Sequence, residues 1–463
     1  MSSVTLDEIV SLAKRRGFIY QGSEIYGGLA GTWDYGPLGA QLKRNIVNEW
    51  LKFFVDGWDD MYLIDTTVIM NPKVWQASGH LDTFHDPLIE CSNCHMRFRA
   101  DKIDEDKCPN CGKPKTFGKA RQFNLMFKTQ VGPTSHPLYE EVETLENEGT
   151  GAVSRKETTV TELNAQQTGV AYLRPETAQG MFTNYKNIID SFYPDLPFGL
   201  AQVGRNFRNE ISPRDFIFRS REFEIMEFEY FVKESDWEKN FEKWQKDMHV
   251  WFASLGLDKA KVKEVEVPAE DRAHYSKRTI DFYYDYPSLG FDEIAGLAYR
   301  TDFDLKNHQE ASGKNLEYRP KDGGKPFIPH VIEPTFGLDR HVMAVLANAY
   351  TEDEVEDEKR IFLKLPKHLA PIKVAICPLA KNKPELVAKA REVYKILQKE
   401  VGNVMWIDTG NIGKNYRRAD EIGVPYFITV DFQTLDDDTV TVRERDTTIQ
   451  KRVKTSELIK SVK

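Results

Sequence analysis

The chain has 463 residues, which is enough for about three domains of roughly 150 residues each. Hydrophobic residues make up 40% of it and charged residues 29%, as in an ordinary globular protein, and no apolar run approaches the roughly 20 residues of a membrane span. The net charge of −9 argues against a simple nucleic-acid coat protein, and we expect no membrane contact.

The amino-terminal third begins with a segment that does not look like a targeting signal. Met1–Ile9 lacks the basic and then apolar pattern of a secretory signal, so we expect a cytoplasmic protein. Pro37–Phe54 has apolar residues at a spacing of three to four, which predicts an amphipathic helix. Met61–Met70 then predicts a strand.

The segment from about residue 87 to residue 169 differs in character from its surroundings and predicts an insertion. Its second half, 140–168, is polar and acidic with few large apolar residues. Its first half contains two C-x2-C pairs with 13 residues between them, a spacing that fits a tetrahedral zinc site of four thiolates. The predicted metal ligands are Cys91, Cys94, Cys108 and Cys111.

Four thiolates would close the coordination sphere, so the predicted zinc is structural and His95 is a less suitable ligand. The alternatives are a reduced cluster without metal and a pair of disulfides, of which a cytoplasmic setting disfavours the second. The remaining cysteine, Cys377, lies in a predicted core strand and is interpreted as a small buried apolar residue.

Two apolar runs in the middle of the chain predict a pair of antiparallel strands. They are Phe198–Val203 and Phe223–Val232, and the polar segment between them predicts a long loop. Arg208 and Glu210, two residues apart, are predicted to lie on one face at the strand end as a rigid pair of opposite charges. An apolar helical stripe follows from Trp237 to Phe252, and we interpret it as core packing.

The predicted loop interleaves arginines with aromatic residues. Guanidinium groups suit phosphate oxygens and aromatic faces suit purine rings, so the pattern favours a nucleotide site. Taken alone, the pair of Arg208 and Glu210 is better interpreted as an ordinary surface ion pair, and the loop is what favours the nucleotide site. The loop residues concerned are Arg214, Phe216, Phe218, Arg219 and Arg221.

A second group of residues, 332–340, predicts a strand followed directly by a helix. Gly337 permits a close backbone approach or an unusual φ at the junction. Arg340 then projects from the first helical turn. A glycine followed by an arginine is a weak signal on its own.

The last hundred residues predict a separate domain. The charged run Glu352–Arg360 is interpreted as the connector, which places the domains at 1–360 and 361–463. The second domain alternates strand and helix, which predicts an α/β fold with a mostly parallel sheet. From Pro366 it carries 18 basic and 13 acidic residues, a surplus that fits either contact with RNA phosphates or a solvated surface.

The two groups around Arg208 and Arg340 resemble motifs 2 and 3 of the class II aminoacyl-tRNA synthetases, in the right order and about 130 residues apart. Three further stretches, 173–180, 291–296 and 333–337, are similar to the homodimeric glycyl-tRNA synthetases. The resemblance extends over nearly the whole chain. The first motif of the class departs from pattern, because Thr67 stands where these enzymes commonly have a proline and Pro72 lies further on.

The resemblance implies an α+β catalytic domain with an antiparallel sheet flanked by helices, a zinc-ribbon-like insertion and a C-terminal α/β anticodon-binding domain. It also implies a ligase that activates glycine with ATP and transfers it to the 3′ end of tRNA(Gly), and that forms a homodimer. The alternatives are a class II synthetase for another small amino acid and a non-catalytic, synthetase-like nucleic-acid-binding protein.

The resemblance also implies roles for single residues. Arg208, Glu210 and Arg340 are the expected catalytic residues, with Phe223 stacked on adenine and Glu293 beside the nucleotide and its Mg²⁺. The expected ATP-binding residues are Arg208, Asn209, Glu210, Phe218, Arg219, Ser220, Arg221, Glu222, Phe223, Glu293, Ile294, Gly337, Leu338, Asp339 and Arg340.

For glycine, Glu176 is expected to accept hydrogen bonds from the ammonium group with help from Glu227, and Thr335 to lie near the substrate. Arg99 corresponds to the basic residue that the family brings to this pocket. The expected substrate-binding residues are Arg99, Glu176, Phe223, Glu224, Ile225, Met226, Glu227, Glu333, Pro334, Thr335, Phe336 and Gly337.

Overall fold

The structure is a computed structural model, and it describes residues 4–104, 106–132, 145–146, 153–154, 169–355 and 357–462. The acidic segment 140–168 lies outside the described residues, apart from two short pieces of strand. In the described part of the chain, no helix is both long and apolar enough to cross a membrane.

The amino-terminal region contains the predicted amphipathic helix, which buries Leu42, Ile46 and Trp50 and continues as one wider turn to Asp56. The single strand predicted over Met61–Met70 is wrong. Two short strands stand there, because the backbone oxygen of Thr66 accepts a 2.8 Å hydrogen bond from Arg174 instead of pairing in a ladder. The elements are α1 (Leu6–Arg16), β1 (Ile19–Gln21), β2 (Trp33–Tyr35), α2 (Pro37–Leu51), β3 (Met61–Leu63), β4 (Ile69–Met70), α3 (Pro72–Ala77) and α4 (His80–Thr83).

The next region consists of short strands in small sheets. Its elements are β5 (His85–Glu90), β6 (Arg97–Arg99), β7 (Arg121–Asn124), β8 (Phe127–Gln130), β9 (Leu145–Glu146), β10 (Val153–Ser154) and β11 (Val170–Leu173). Strand β5 lies between β6 and β7 in an antiparallel sheet, and one cysteine pair follows β5 and the other follows β6. Strand β11 pairs with β4 and β8 and leads into the central part of the protein.

A seven-stranded sheet forms the centre of the molecule, in the order β14-β15-β16-β17-β13-β12-β3. All neighbours are antiparallel except β3 and β12, so the prediction of an antiparallel sheet with helices is confirmed for the core. The elements of this region are α5 (Ala178–Phe192), β12 (Phe198–Phe207), β13 (Glu222–Val232), α6 (Trp237–Ser254), β14 (Val262–Glu266), β15 (Arg278–Tyr286), β16 (Gly290–Thr301), α7 (Phe303–Ser312), β17 (His330–Gly337) and α8 (Leu338–Ala349).

The two faces of this sheet have different roles. One face packs on α2, α6 and α8 in the main hydrophobic core, where Trp244 of the predicted apolar stripe contacts Phe228 with ring centroids 4.8 Å apart. The core interpretation of that stripe is therefore confirmed. The other face is covered only in part, by Phe182 of α5 and Leu305 of α7. On this partly covered face, polar side chains at alternate strand positions point toward a cavity.

The charged run predicted as a connector forms most of a hairpin, β18 (Tyr350–Val355) and β19 (Glu358–Leu363). Arg360 of this hairpin is buried, and its guanidinium donates to Asp420 at 3.1 Å and to the backbone oxygen of Arg445 at 2.8 Å. The hairpin is thereby attached to the C-terminal region.

The C-terminal region has a five-stranded sheet in the order β21-β20-β22-β23-β24. The prediction of a mostly parallel sheet is wrong, because only β20, β21 and β22 are parallel. The connections to β23 and β24 are too short for the crossover that a parallel strand needs. The elements are β20 (Val374–Pro378), α9 (Pro384–Val401), β21 (Val404–Trp406), α10 (Ile412–Glu421), β22 (Tyr426–Val430), α11 (Phe432–Asp437), β23 (Thr439–Glu444), β24 (Gln450–Lys454) and α12 (Leu458–Val462).

Candidate active site

The segment after β12 turns away from the strand direction. The strand ends at Phe207, and the N–H of Glu210 donates to the backbone oxygen of Arg208 at 2.7 Å. The prediction that Arg208 and Glu210 form a rigid pair on one strand face is therefore wrong. Arg208 donates to the backbone oxygen of Pro175 at 3.1 Å, and the carboxylate of Glu210 lies 3.6 Å from Arg219.

Beside this turn lies a cavity of about 320 Å³ on the open face of the central sheet. The guanidinium of Arg208 lies 5.2 Å from the centre of the Phe223 ring and 5.3 Å from that of Phe84. The wall therefore combines positive charge with aromatic surface, which suits a nucleotide. The predicted site residues that line the cavity are Arg99, Arg208, Glu210, Phe218, Arg219, Ser220, Phe223, Glu224, Ile225, Glu293, Ile294, Thr335, Gly337, Asp339 and Arg340.

Arg340 enters the cavity from the first turn of α8. Its guanidinium donates to the Glu293 carboxylate at 3.1 Å and lies 4.4 Å from the centre of the Phe218 ring. Gly337 has a φ of −71°, so the unusual φ considered for it is wrong. A Cβ at this glycine would lie 3.3 Å from Cδ of Arg340, so a close approach to that side chain is what the glycine permits.

Four predicted ATP-binding residues lie off the cavity wall. Asn209 donates its N–H to the backbone oxygen of Leu125. Arg221 donates to the backbone oxygen of Glu210 at 3.1 and 3.2 Å and so supports the turn from behind. Glu222 is exposed and pairs with an arginine of β12, while Leu338 is buried in the core.

A second group of predicted residues forms a buried acidic pocket on the same face. Glu227 of β13 accepts hydrogen bonds from the hydroxyls of Thr335, at 2.9 Å, and Thr177. Glu176 precedes α5 and is almost fully buried, as is Glu333 of β17. Three different elements thus bring carboxylates to one place, where a small cation such as an ammonium group is the complementary ligand.

The ionisation of these carboxyls differs with their partners. Burial, and then the charge of Glu176, raises the pKa of Glu227. Burial also raises the pKa of Glu333 well above its ordinary value. For Glu176, burial is again the largest influence, but His80 and Arg300 outweigh it and lower the pKa. Glu176 is therefore the carboxyl that the surroundings hold ionised.

Strand alternation directs several predicted substrate-binding side chains away from this pocket. Glu224 forms an ion pair with Lys43 at 3.0 Å and also pairs with an arginine of β12. Met226 and Phe336 are buried in the main core, and Pro334 shares the strand face of Phe336. Met226, Pro334 and Phe336 are not on the cavity wall, whereas Glu224 is. Ile225 does line the cavity.

Arg99 reaches the cavity from the small sheet of β5 to β7. Its guanidinium pairs with Asp86 at 2.9 Å and with Asp101 at 2.8 Å. The two aspartates hold the arginine in place on the cavity wall.

Sequence reasoning missed the buried cation of the acidic pocket. Arg300 of β16 is fully buried and donates to Asp304 at 2.8 Å and to Glu333 at 2.7 Å. It also missed Glu229, a fully buried carboxyl whose pKa is raised well above its ordinary value by burial and then by Glu333. The available signals were an arginine at the end of the apolar stretch 294–299 and a glutamate between two aromatic residues, because a charge buried there needs a partner.

A pair of carboxyls beside Arg340 could hold a divalent cation. Burial, and then the charge of Glu293, raises the pKa of Asp281 to about 7. Carboxylate oxygens crowded in this way are the ligands that Mg²⁺ prefers, and Glu293 is on the cavity wall.

The four cysteines of the two C-x2-C pairs come together, as their spacing predicts. Sγ of Cys91 lies 3.8 Å from that of Cys111, and Sγ of Cys94 lies 3.7 Å from that of Cys108. Tetrahedral zinc with Zn–S bonds of about 2.3 Å requires sulfur atoms about 3.8 Å apart, so the four thiolates fit the metal. Cys377 is buried in β20, as predicted.

The chain matches two family models. The class II tRNA synthetase core domain, the model for the G, H, P, S and T enzymes, matches residues 162–349, and the anticodon-binding domain matches residues 373–463. Six of the seven strands of the central sheet lie within the first match, as do the cavity arginines Arg208, Arg219 and Arg340. Fold and site thus define a class II aminoacyl-tRNA synthetase, which is a ligase.

Curated relatives identify the family within this class. A glycine–tRNA ligase of Streptomyces coelicolor is 44% identical, over 98% of this chain and 96% of the relative. Relatives with the same name from Thermobifida fusca and Borrelia garinii are 42% and 43% identical, over 97% and 99% of this chain and over 96% and 97% of the relatives. The chain belongs to the glycine–tRNA ligase family. Neither the accessory-protein alternative nor another amino acid is favoured by these relatives.

Proposed function

We propose that this enzyme makes glycyl-adenylate from glycine and ATP and transfers the glycyl group to the 3′ end of tRNA(Gly). The observation that carries the proposal is the position of the acidic pocket. It shares the open face of the central sheet with a cavity that Arg208 and Arg340 enter from separate elements. A site that joins an ammonium-bearing carboxylate to ATP needs both parts side by side.

In the first step, Arg208 binds the α-phosphate and stabilises the charge that develops as the glycine carboxylate attacks phosphorus and pyrophosphate leaves. Arg340 binds the γ-phosphate, and Phe223 stacks on adenine with Glu210 toward the base. The chain supplies placement and charge stabilisation, so the step needs no covalent enzyme nucleophile. The short turn at Glu210 and the support from Arg221 favour a rigid arrangement for this purpose.

In the glycine pocket, Glu176 and Glu227 accept hydrogen bonds from the ammonium group, and Thr335 holds the carboxylate of Glu227 in place. Selectivity for glycine follows from the small size of the pocket, because the side chain of any larger amino acid would collide with the surrounding strands. Steric exclusion discriminates well against larger substrates, so an editing site is unnecessary. Arg99 would contact the substrate from the cavity rim.

We infer that Mg²⁺ accompanies ATP and is held by Glu293, with Asp281 beside it. The ion would neutralise phosphate charge as pyrophosphate departs. Glu293 also accepts from Arg340, so the same carboxylate orients the arginine that faces the γ-phosphate.

We infer that a structural Zn²⁺ is bound by Cys91, Cys94, Cys108 and Cys111, which makes the insertion at about 87–169 a zinc ribbon. The sulfur spacing supports this, and four thiolates leave no open position for catalysis. The five cysteines form no disulfide bonds with one another. This fits the reducing conditions of the cytoplasm, which is the location we propose.

The proposed division of the chain is a catalytic domain at 1–360 and an anticodon-binding domain at 361–463. The match of residues 373–463 to an anticodon-binding model supports the second part. A homodimer is also proposed. Leu63, Ile69 and Phe192 are exposed at 57%, 51% and 60%, as apolar residues covered by a second subunit would be in an isolated chain.

The test is ATP–pyrophosphate exchange with a panel of amino acids. We expect exchange with glycine and none with serine, threonine or proline. Exchange with one of these three but not with glycine would assign another amino acid. A folded protein that binds tRNA but exchanges with none of them would point to the accessory role.

A further inference from the structure

His80 contacts Glu176 of the proposed glycine pocket but has no assigned part in the reaction. It is the first residue of α4 and is 5% exposed. Gly79, with a φ of +81°, makes the tight turn from α3 that directs His80 inward. The ring lies against Glu176, the carboxylate that the proposed function assigns to the ammonium group of glycine.

Two polar groups and two aromatic rings contact the imidazole of His80. Its Nε2 lies 3.2 Å from Oε2 of Glu176, and its Nδ1 lies 2.8 Å from Oγ of Ser78. The rings of Trp75 and Phe84 pack on it with centroids 5.3 and 5.5 Å away. With the ring held by its neighbours, the N–H at Nε2 has one acceptor to serve, the Glu176 carboxylate.

The other oxygen of Glu176 has a partner of its own. Nε2 of Gln179 donates to Oε1 of Glu176 at 3.1 Å and to Asp304 at 2.9 Å. Oε1 of Gln179 accepts from His308 at 2.8 Å, which determines which end of the amide faces Glu176. Glu176 is thus held at both oxygens, by residues from two different helices, before any substrate arrives.

We propose that His80 is a positioning residue for the amino-acid site, which keeps Glu176 an oriented, ionised carboxylate ready for the substrate ammonium. The inference rests on the proposed function, because it takes glycine as the ligand of Glu176. Gln179 and His308 secure the opposite oxygen, so that the remaining lone pairs of Glu176 are directed into the pocket.

The electrostatic surroundings agree with this role. The charged or titratable groups that face Glu176 are His80 from α4, Arg300 from β16, Glu227 from β13, Glu333 from β17, Asp304 from α7 and Tyr275. Burial acts to raise the pKa of Glu176, and His80 is the first of the groups that oppose it. Burial and the acidic neighbours favour the protonated form of Glu176. Without His80, mainly Arg300 would oppose them and keep the pKa of Glu176 low.

The experiment measures glycine-dependent ATP–pyrophosphate exchange by the full-length enzyme between pH 6 and pH 8.5. For His80→Ala we expect the KM for glycine to rise about tenfold to a hundredfold, the loss typical of a hydrogen bond to a charged group, with the KM for ATP unchanged. The rise should be larger at pH 6 than at pH 8.5, because the pKa of Glu176 moves up when His80 is lost.

His80→Gln is the conservative variant, since its amide can donate to Glu176 but carries no charge. Its KM for glycine should lie between that of the unmodified enzyme and that of His80→Ala. If His80→Ala does not fold, the same measurements on His80→Gln test the role of His80. His249→Ala is the matched control, because His249 contacts Glu264 at 2.5 Å on the exposed side of α6, away from the site. It should leave both KM values unchanged.

An unchanged KM for glycine in His80→Ala would overturn the assignment. So would a KM raised by one factor at every pH, or raised equally for ATP, since either result marks a packing residue. Failure of the unmodified enzyme to exchange with glycine would count against the proposed function instead.

Discussion

Arg300 donates a hydrogen bond of 2.7 Å to Glu333, and both side chains are withdrawn from solvent. The same guanidinium forms two bonds of 2.8 Å with Asp304. One buried cation therefore forms hydrogen bonds to two buried carboxyl groups of the proposed glycine pocket, those of Asp304 and Glu333. Removing one partner of such a group leaves uncompensated charge in the interior, which costs far more than losing a surface ion pair.

The first prediction concerns stability. Arg300→Met should lower the free energy of unfolding by about 3–5 kcal/mol, because Glu333 and Asp304 lose their shared cation. Urea unfolding followed by circular dichroism measures the change. The control is Arg205→Met, which removes a surface arginine that is 62% exposed and pairs with Glu222, and it should cost less than about 1 kcal/mol. Equal losses in the two variants would contradict the role of the buried cation.

The second prediction concerns phosphate contact. Arg208→Ala should abolish glycyl-adenylate formation, a loss of at least about a hundredfold, because the charge at the α-phosphate loses its nearest compensation. Melting temperature and tRNA binding should stay close to those of the unmodified enzyme. Pyrophosphate exchange measures the effect, and Arg15→Ala is the control, since that arginine is 51% exposed and pairs with Glu421. Full exchange activity in Arg208→Ala would refute the assignment.

The third prediction concerns zinc. Purified protein should contain about one zinc ion per chain, and Cys94→Ala should lose it, because three thiolates bind zinc less tightly than a closed set of four. Elemental analysis by mass spectrometry measures the content. Cys377→Ala should keep its zinc, since Cys377 lies in β20, outside the cysteine cluster. A metal-free unmodified protein that remains folded would exclude a structural zinc.

The fourth prediction concerns pH. Burial and Glu293 raise the pKa of Asp281 to about 7, so the folded protein favours the protonated form. The unfolded chain ionises this group near pH 4, and the folded state is therefore penalised progressively from about pH 4 to pH 7 and fully above it. Asp281→Asn should stabilise the protein by about 1 kcal/mol at pH 8, allowing for solvent screening, and not at pH 4.

Urea unfolding at the two pH values measures this difference. Asp271→Asn, in an exposed turn, is the control and should have no pH-dependent effect. If Asp281→Asn were equally stabilising at pH 4 and pH 8, the penalty would not come from ionisation. The same variant should weaken the dependence of exchange on Mg²⁺ concentration if Asp281 lies beside the proposed ion.

The local patterns of the sequence were sufficient for the elements that carry the site. Alternating and apolar runs predicted the antiparallel strands around Arg208, and the spacing of the C-x2-C pairs predicted the approach of four cysteines. These features depend on neighbours in the chain, so a pattern of a few residues contains them. The class II motifs further identified most of the residues that line the cavity.

Other features were decided only by tertiary structure. The partner of Glu210 is Arg219 rather than Arg208, because the chain turns at the end of β12. Glu227 faces the pocket while Met226 enters the core, and this follows from strand register against β17 and β12. Register and turns are set by packing between distant segments, which no local pattern specifies.

By itself, then, the sequence determined the class of enzyme, the nucleotide motifs and the thiolate cluster. Only the folded chain brought His80 of α4 and Arg300 of β16 to Glu176 and Glu333. These residues are far apart in sequence, and each is ordinary in its own segment. Their roles follow from the fold, because a buried carboxylate requires a hydrogen-bond donor or a cation, and the helices and strands around the pocket supply both.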